Sequence, residues 1–220
     1  MALNDPSGPA GAEPAPADRA PDGTRLTPAS IILAELFRTC QPRLAARFAR
    51  VGRMSEALAR RLGLDDAEAR AIGRAGSLHD IGMAFLPEEL VDQAGPLSVR
   101  EKELVHHHGL CGQELLQMAG DPAYALAAMV ALQHEERWDG SGRPAGLAGE
   151  EICLATRIVA VCAAYEALRH PRPGTVALGH RPALALLVRG HAQVRATAFD
   201  PRVVAAFVRH APEFQAMAAT

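Results

Sequence analysis

An all-α fold follows from three features of the sequence. Helix-start signals recur along the chain: Asp65 with Glu68, Ser98 with Glu101, and prolines directly after Asp121 and Asp200. Between them, apolar residues repeat at helical spacing, and no alternating pattern of any length points to a strand. With 220 residues, of which 49% are hydrophobic, the chain suits one domain with a sizeable core and a tail.

Residues 1–26 are Pro, Ala, Gly and Asp with almost no large apolar side chain. Such a segment cannot bury enough surface to offset its ordering entropy, so a disordered tail is expected there and a folded domain over 27–220. Thr27-Pro28 opens the first predicted helix, which carries Ile31, Ile32, Leu36 and Phe37. Pro42 ends or restarts it, and an arginine-rich amphipathic stretch over 42–62 closes at Gly63. Asp65 and Glu68 then cap a helix running towards His79. Ser98 and Glu101 do the same ahead of a helix carrying His108. Asp121-Pro122 opens a helix ending near His134. Further helices are predicted over 150–168, 181–188 and 203–210.

Several function classes are excluded. A net charge of −2 gives no general attraction to nucleic acid or anionic membranes, and an acidic ligand would need a local cluster of arginines. No apolar run approaches the ~20 residues that cross a bilayer. Aromatic residues are only 4% of the chain, which leaves little for base stacking. The four cysteines (Cys40, Cys111, Cys153, Cys162) form no CxxC pair and no signal peptide is visible. They read as reduced thiols of a cytoplasmic protein.

The chemistry concentrates between Ser77 and Pro144. His79-Asp80, His108 and His134-Glu135 lie on separate predicted helices, and imidazoles and carboxylates are common ligands of divalent transition metals. An isolated His-Asp pair is more often a helix end whose side chains cap each other. Two observations favour the metal: Gly112 lies one turn beyond His108, and the glycine-punctuated Asp139-Gly140-Ser141-Gly142-Arg143-Pro144 follows His134. Facing helices of a bundle could bring these groups to one ion.

Ser77-Leu78-His79-Asp80-Ile81-Gly82, His108-Gly109-Leu110-Cys111-Gly112 and His134-Glu135-Glu136-Arg137-Trp138-Asp139-Gly140-Ser141-Gly142-Arg143-Pro144 together resemble the HD-GYP family. Arg157-Ile158-Val159-Ala160-Val161 and Phe199-Asp200-Pro201 extend the likeness, which covers about residues 45–207. The resemblance implies an HD-domain-type helical bundle and a phosphodiesterase that opens cyclic di-GMP at a centre of two or three metals.

Departures from the family pattern are equally informative. By its spacing an upstream Glu and His fall at Arg43 and Arg47, the lysine after the HD pair is Met83, and the second of two consecutive histidines is Glu135. The Asp of the long later helix is Ala163, and the GYP tyrosine is Arg143. Arg172 resembles a phosphate-contacting arginine whose basic companion is Thr175. The resemblance therefore implies that one ion keeps only His79 and Asp80, while its neighbour keeps Asp80, His108 and His134, with Glu135 as a substitute ligand. One divalent transition metal, iron or manganese, is expected, and a second is not. Arg43 and Arg47 read either as a solvated helix face or as positive charge standing where an ion stood. Glu166 shares a helix face with Ala163, but a structural role is expected for it.

Two functions follow. One is a degenerate HD-GYP module that binds a cyclic dinucleotide through Arg137, Arg143 and Arg172, or a signalling protein such as a diguanylate cyclase, with weak or no hydrolysis. The other is a metal-dependent phosphodiesterase or phosphohydrolase working at a reduced metal site, with Asp80 at its catalytic centre. No receiver-like or membrane segment fits in residues 1–26, so the input is expected from a separate chain or from the ligand.

Overall fold

The computed structural model describes residues 42–91, 93, 95–171, 175–191 and 194–218. The expected tail over 1–26, the helix opening at Thr27, Cys40 and Arg172 lie outside them.

Helix α1 (Pro42–Arg61) and helix α2 (Asp66–Leu78) form an antiparallel pair joined by a turn at Gly63, whose φ of 91° favours glycine. Asp65 Oδ1 accepts from the Ala67 and Glu68 amides at 2.8 Å, and Glu68 Oε2 accepts from the Asp65 amide at 3.1 Å. This is the capping box read from the sequence, and a cap of this kind is worth about 1 kcal/mol. Glycines set how closely the two helices pack: a Cβ on Gly73 would lie 2.9 Å from Glu56, and one on Gly76 2.9 Å from Ser55 Oγ.

A 3₁₀ turn (Ile81–Phe85) and helix α3 (Glu88–Val91) follow. The expected helix through His108 is instead two: α4 (Val99–His106), capped by Ser98 and Glu101, and α5 (His108–Met118). His107 is where they part, its φ/ψ of −81°/−9° falling between them. The break redirects the chain so that His108 is buried while His106 and His107 are exposed.

Asp121 caps a 3₁₀ turn (Pro122–Tyr124), and helix α6 (Ala125–Gln133) delivers His134 at its C-cap. Helix α7 (Leu154–Arg169) starts later than the expected position 150. Glu151 spends its carboxylate on the Ala148 amide at 2.9 Å, closing a separate 3₁₀ turn (Gly149–Glu151) ahead of the helix. α7 is the central helix, with Ile158, Val159, Val161, Cys162 and Tyr165 fully buried. Helix α8 (His180–Arg189) is followed by a two-residue antiparallel ladder, β1 (Gly190–His191) against β2 (Val194–Arg195). This is too short to alter the all-α class. Helix α9 (Pro201–Arg209), capped by Asp200, and helix α10 (Ala211–Met217) close the bundle. Phe207 of α9 stacks on Phe214 of α10 at 4.2 Å and contacts Tyr165 of α7 at 4.9 Å, between ring centroids.

Candidate metal centre

Three glycines bring three chain segments to one point. A Cβ on Gly82 would overlap the His108 carbonyl oxygen and lie 2.7 Å from the Gly112 amide, so the turn after Asp80 rests directly on α5. On the other side of α5, Gly109 and Gly112 face Ala131 of α6, where added Cβ atoms would stand 3.0 Å and 3.4 Å from its atoms. The signal visible in the sequence at Gly112 is thus half of a close approach whose other half is Gly82.

The imidazoles of His79, His108 and His134 and the Asp80 carboxylate converge there. Asp80 Oδ1 lies 3.1 Å from His108 Nε2 and 2.9 Å from His134 Nε2, and those two nitrogens are 3.0 Å apart. Asp80 Oδ2 lies 3.3 Å from His79 Nε2. Each ring is held from behind by a carbonyl three residues earlier. His79 Nδ1 donates to the Gly76 oxygen at 2.8 Å, His134 Nδ1 to the Ala131 oxygen at 2.8 Å, and His108 Nδ1 to the Val105 oxygen. A carbonyl can only accept, so the proton sits on Nδ1 and the neutral ring presents its Nε2 lone pair to the centre.

At His79 and Asp80 the electrostatics favour the same neutral ring and negative charge, whereas at His108 they favour a proton on Nε2. Burial favours the neutral form of His79 and holds its pKa below the usual value. Burial works against ionised Asp80, yet the nearby His79, His134 and Arg47 and the His108 hydrogen bond hold its carboxyl well below the usual range. His108 is drawn down by burial, but its bond to Asp80 and the Asp80 charge outweigh that and raise it. The cluster is a set of lone pairs and one buried negative charge that calls for a cation.

The residues fit a divalent ion. Asp80, His108 and His134 offer ligand atoms within 4.8 Å of one another, and the buried His79 Nε2 makes no hydrogen bond. Two imidazoles with one carboxylate suit iron, manganese or zinc. Glu135 stands outside this compact group, its Oε2 3.0 Å from Arg143 Nε.

Arg47 closes the other side. Its Nη2 donates to Asp80 Oδ2 at 2.9 Å, and its Nε lies 3.4 Å from Glu166 Oε2. Of the two readings offered for Arg47, the structure supports positive charge beside Asp80 over a solvated face. The Arg43 side chain lies outside the described residues. Glu166 is fully buried and accepts from Arg50 Nη2 at 2.7 Å, with His170 Nδ1 at 3.1 Å, which is the structural role expected for it.

Arg47, His134, Glu135, Arg137 and Arg143 line a cleft of about 550 Å³. Its outer wall is the glycine loop, and three features that the sequence reading passed over hold that loop. Buried Glu136 accepts from the Ala145 amide at 2.7 Å and the Leu147 amide at 3.0 Å. Asp139 accepts from the Ser141 hydroxyl at 2.6 Å and the Thr197 hydroxyl at 2.7 Å, which holds its pKa at about 2. Arg157 pairs with Asp200 at 2.8 Å while its guanidinium packs over Trp138, 5.5 Å from the ring centroid. The available signal for Glu136 was an acidic residue beside a loop whose amides have no helical partners.

Comparison with known proteins places these features. The HD domain family model matches residues 32–203. A cyclic di-GMP phosphodiesterase response regulator, RpfG of Xanthomonas campestris, is 39% identical over 180 residues, covering 80% of this chain and 47% of that protein. A cyclic di-GMP phosphodiesterase of Pseudomonas aeruginosa is 39% identical over 155 residues, covering 70% of this chain and 36% of the relative. The chain thus spans less than half the length of either. Among solved structures, an HDG"Y"P protein from Bdellovibrio bacteriovorus aligns with a TM-score of 0.59 at 19% identity, over 87% of this chain and 61% of that one. At that identity the likeness speaks for the fold.

Proposed function

The chain belongs to the HD domain family, and from that premise we propose that it binds a cyclic dinucleotide at a one-ion HD-GYP-type site and hydrolyses it weakly or not at all. The observation that carries this reading is the division of the Asp80 carboxylate. Oδ1 faces the His108 and His134 nitrogens, whereas Oδ2 is bonded to Arg47 at 2.9 Å. Asp80, His108 and His134 would hold the ion, which we assign to iron or manganese, and Glu135 is the further carboxylate that could join them from the adjoining cleft. A bound divalent ion would supply Lewis acidity towards a phosphate oxygen. Arg137 and Arg143 on the cleft wall would meet the remaining phosphate charge, and we place Arg172 in the same role.

Weak turnover follows from what stands near the reacting phosphate. Efficient diester hydrolysis stabilises both the attacking and the leaving oxygen, a task suited to two ions. Arg47 offers charge and hydrogen bonds but cannot activate water as an ion does. Met83 adds no charge for the departing oxygen.

A second reading, a phosphodiesterase that turns over with one ion, is favoured by the intact backing of all three imidazoles. One experiment separates them. Protein purified anaerobically is analysed for metal beside Asp80→Ala, then incubated with cyclic di-GMP and Mn²⁺ or Fe²⁺. One ion per chain lost in the variant, with ligand binding and little release of linear pGpG or GMP, is expected. Brisk release of either product would overturn the first reading in favour of the second, and absence of metal in both proteins would remove both. A docked signalling protein such as a diguanylate cyclase is the partner we propose for the module.

A further inference from the structure

We infer that Glu135 is an internal counterion for Arg143 that a ligand phosphate must displace, so that Glu135 limits how tightly the cleft binds a cyclic dinucleotide. This role rests on the cyclic-dinucleotide reading of the cleft and on no contact with the ion. Glu135 follows His134, the C-cap residue of α6, and the glycine loop folds back over it. The Arg143 amide donates to the Glu135 carbonyl at 3.3 Å. That return path requires Gly142, because a Cβ there would overlap the Arg137 amide nitrogen and stand 2.5 Å from Glu136 Cα. The two side chains therefore leave neighbouring points of the backbone. Arg143 Nε meets Glu135 Oε2 at 3.0 Å on the wall of the cleft.

Burial decides which cleft arginine can change partners. Arg47 is bonded to Asp80 at 2.9 Å and lies 3.4 Å from Glu166, and those carboxylate side chains are 9% and 1% exposed. Drawing the guanidinium away would leave buried charge short of a partner, a cost that one phosphate contact does not offset. The Glu135 and Arg143 side chains are 34% and 47% exposed, so water takes over the Glu135 carboxylate when its partner leaves. Exposed pairs contribute little to stability, which makes the exchange easy. Glu136, the other acid on the cleft wall, is bonded to the Ala145 and Leu147 amides and does not compete for Arg143. A phosphate can engage a guanidinium through two parallel N–H groups, whereas Glu135 meets it at Nε. A cyclic dinucleotide carries two phosphates. With one of them at the ion, the other is the anion that takes Arg143 from Glu135.

Calorimetric titration of the full chain with cyclic di-GMP in the presence of Mn²⁺ tests this in wild type, Glu135→Gln, Arg143→Gln and the double variant. Glu135→Gln should tighten binding by about 2- to 5-fold, the range of an exposed pair. Arg143→Gln should weaken it. Adding Glu135→Gln to Arg143→Gln should recover less than Glu135→Gln gains alone, because the pair is already gone. Mn²⁺ affinity should be the same in Glu135→Gln as in wild type. Unchanged or weaker ligand binding by Glu135→Gln overturns the inference, as does wild-type affinity in Arg143→Gln. An equal gain in the Arg143→Gln background overturns it too, since Glu135 would then act by plain charge repulsion. So does a loss of Mn²⁺ in Glu135→Gln matching that of Asp80→Ala, which would assign Glu135 to the ion. If none of the four proteins binds cyclic di-GMP, the cyclic-dinucleotide reading falls and this role with it. Equal binding by wild type and Glu135→Gln leaves that reading standing and removes only the role. Should Arg143→Gln disturb the loop, seen as faster hydrogen exchange at the Ala145 and Leu147 amides, Arg143→Met takes its place with the same outcomes.

Discussion

His108 and His134 point their Nε2 atoms at each other across 3.0 Å, each with its proton drawn to the opposite nitrogen by a backbone carbonyl. Two lone pairs at that distance repel unless something positive lies beside them. Asp80 Oδ1 cannot supply it, being negative itself at 3.1 Å and 2.9 Å. Either a proton or a metal ion must complete the cluster, and the raised pKa of His108 shows the proton's share.

His108→Ala and His134→Ala each remove one ligand and should weaken Mn²⁺ binding by on the order of 100-fold, at least as much as the loss of an outer-shell partner. Glu135→Ala should cost far less, because its carboxylate is paired with Arg143 outside the compact group. Titrations of the three variants by calorimetry check the ranking. A Glu135→Ala loss matching that of His134→Ala would place Glu135 in the ion's immediate shell.

Gly82→Ala should damage the centre without touching a ligand. The added Cβ overlaps the His108 carbonyl and stands 2.7 Å from the Gly112 amide, both backbone groups that cannot swing aside. Over-packing of this kind costs roughly 1–3 kcal/mol. Denaturant unfolding should show that loss, together with weaker Mn²⁺ binding as Asp80 is pushed away from His108. Wild-type stability and affinity in the variant would mean that the contact is not held in solution.

How far the site was legible follows from which signals are local. Capping boxes at Asp65 and Ser98 depend on residues three apart, and both are present as read. The break at His107 depends on how α5 rests against Gly82 and Ala131, which are distant in the chain, so a continuous helix was expected there. The same holds within the site. Asp80, His108 and His134 were found by residue type and motif order. Arg47 and Glu166 stood as separate uncertainties until the fold put one guanidinium against both carboxylates. Glu136 was hidden by its neighbours: among His134, Glu135 and Arg137, only the loop's unpaired amides mark it as the structural one.

Asp139 predicts an acid-sensitive loop. Its pKa is lowered from 3.8 to about 2, chiefly by the Ser141 and Thr197 hydroxyls, so its folded state favours the charged form. The stabilisation is therefore fully present above the unfolded value and is lost as pH falls through the folded value. Wild type should exceed Asp139→Asn in thermal stability near neutral pH, with the gap closing between pH 3.8 and about 2. A gap that is constant across that window would show that the charge of Asp139 does not matter to the loop.

Glu136→Gln tests what holds the cleft wall in place. The two carboxylate oxygens accept from Ala145 and Leu147, and both amides lie on the segment that follows Arg143. An amide side chain keeps one acceptor and turns an NH₂ group towards the other N–H. One buried donor then has no acceptor, a cost of about 1–3 kcal/mol. Faster hydrogen exchange should appear at Ala145 or Leu147, with a lower melting temperature. Mn²⁺ binding at Asp80, His108 and His134 should stay within about twofold, since Glu136 bonds to none of them. Cyclic dinucleotide binding should weaken, because Arg143 is carried by the loop that Glu136 anchors. Unchanged exchange at both amides, or loss of metal along with ligand, would separate Glu136 from the role assigned to it.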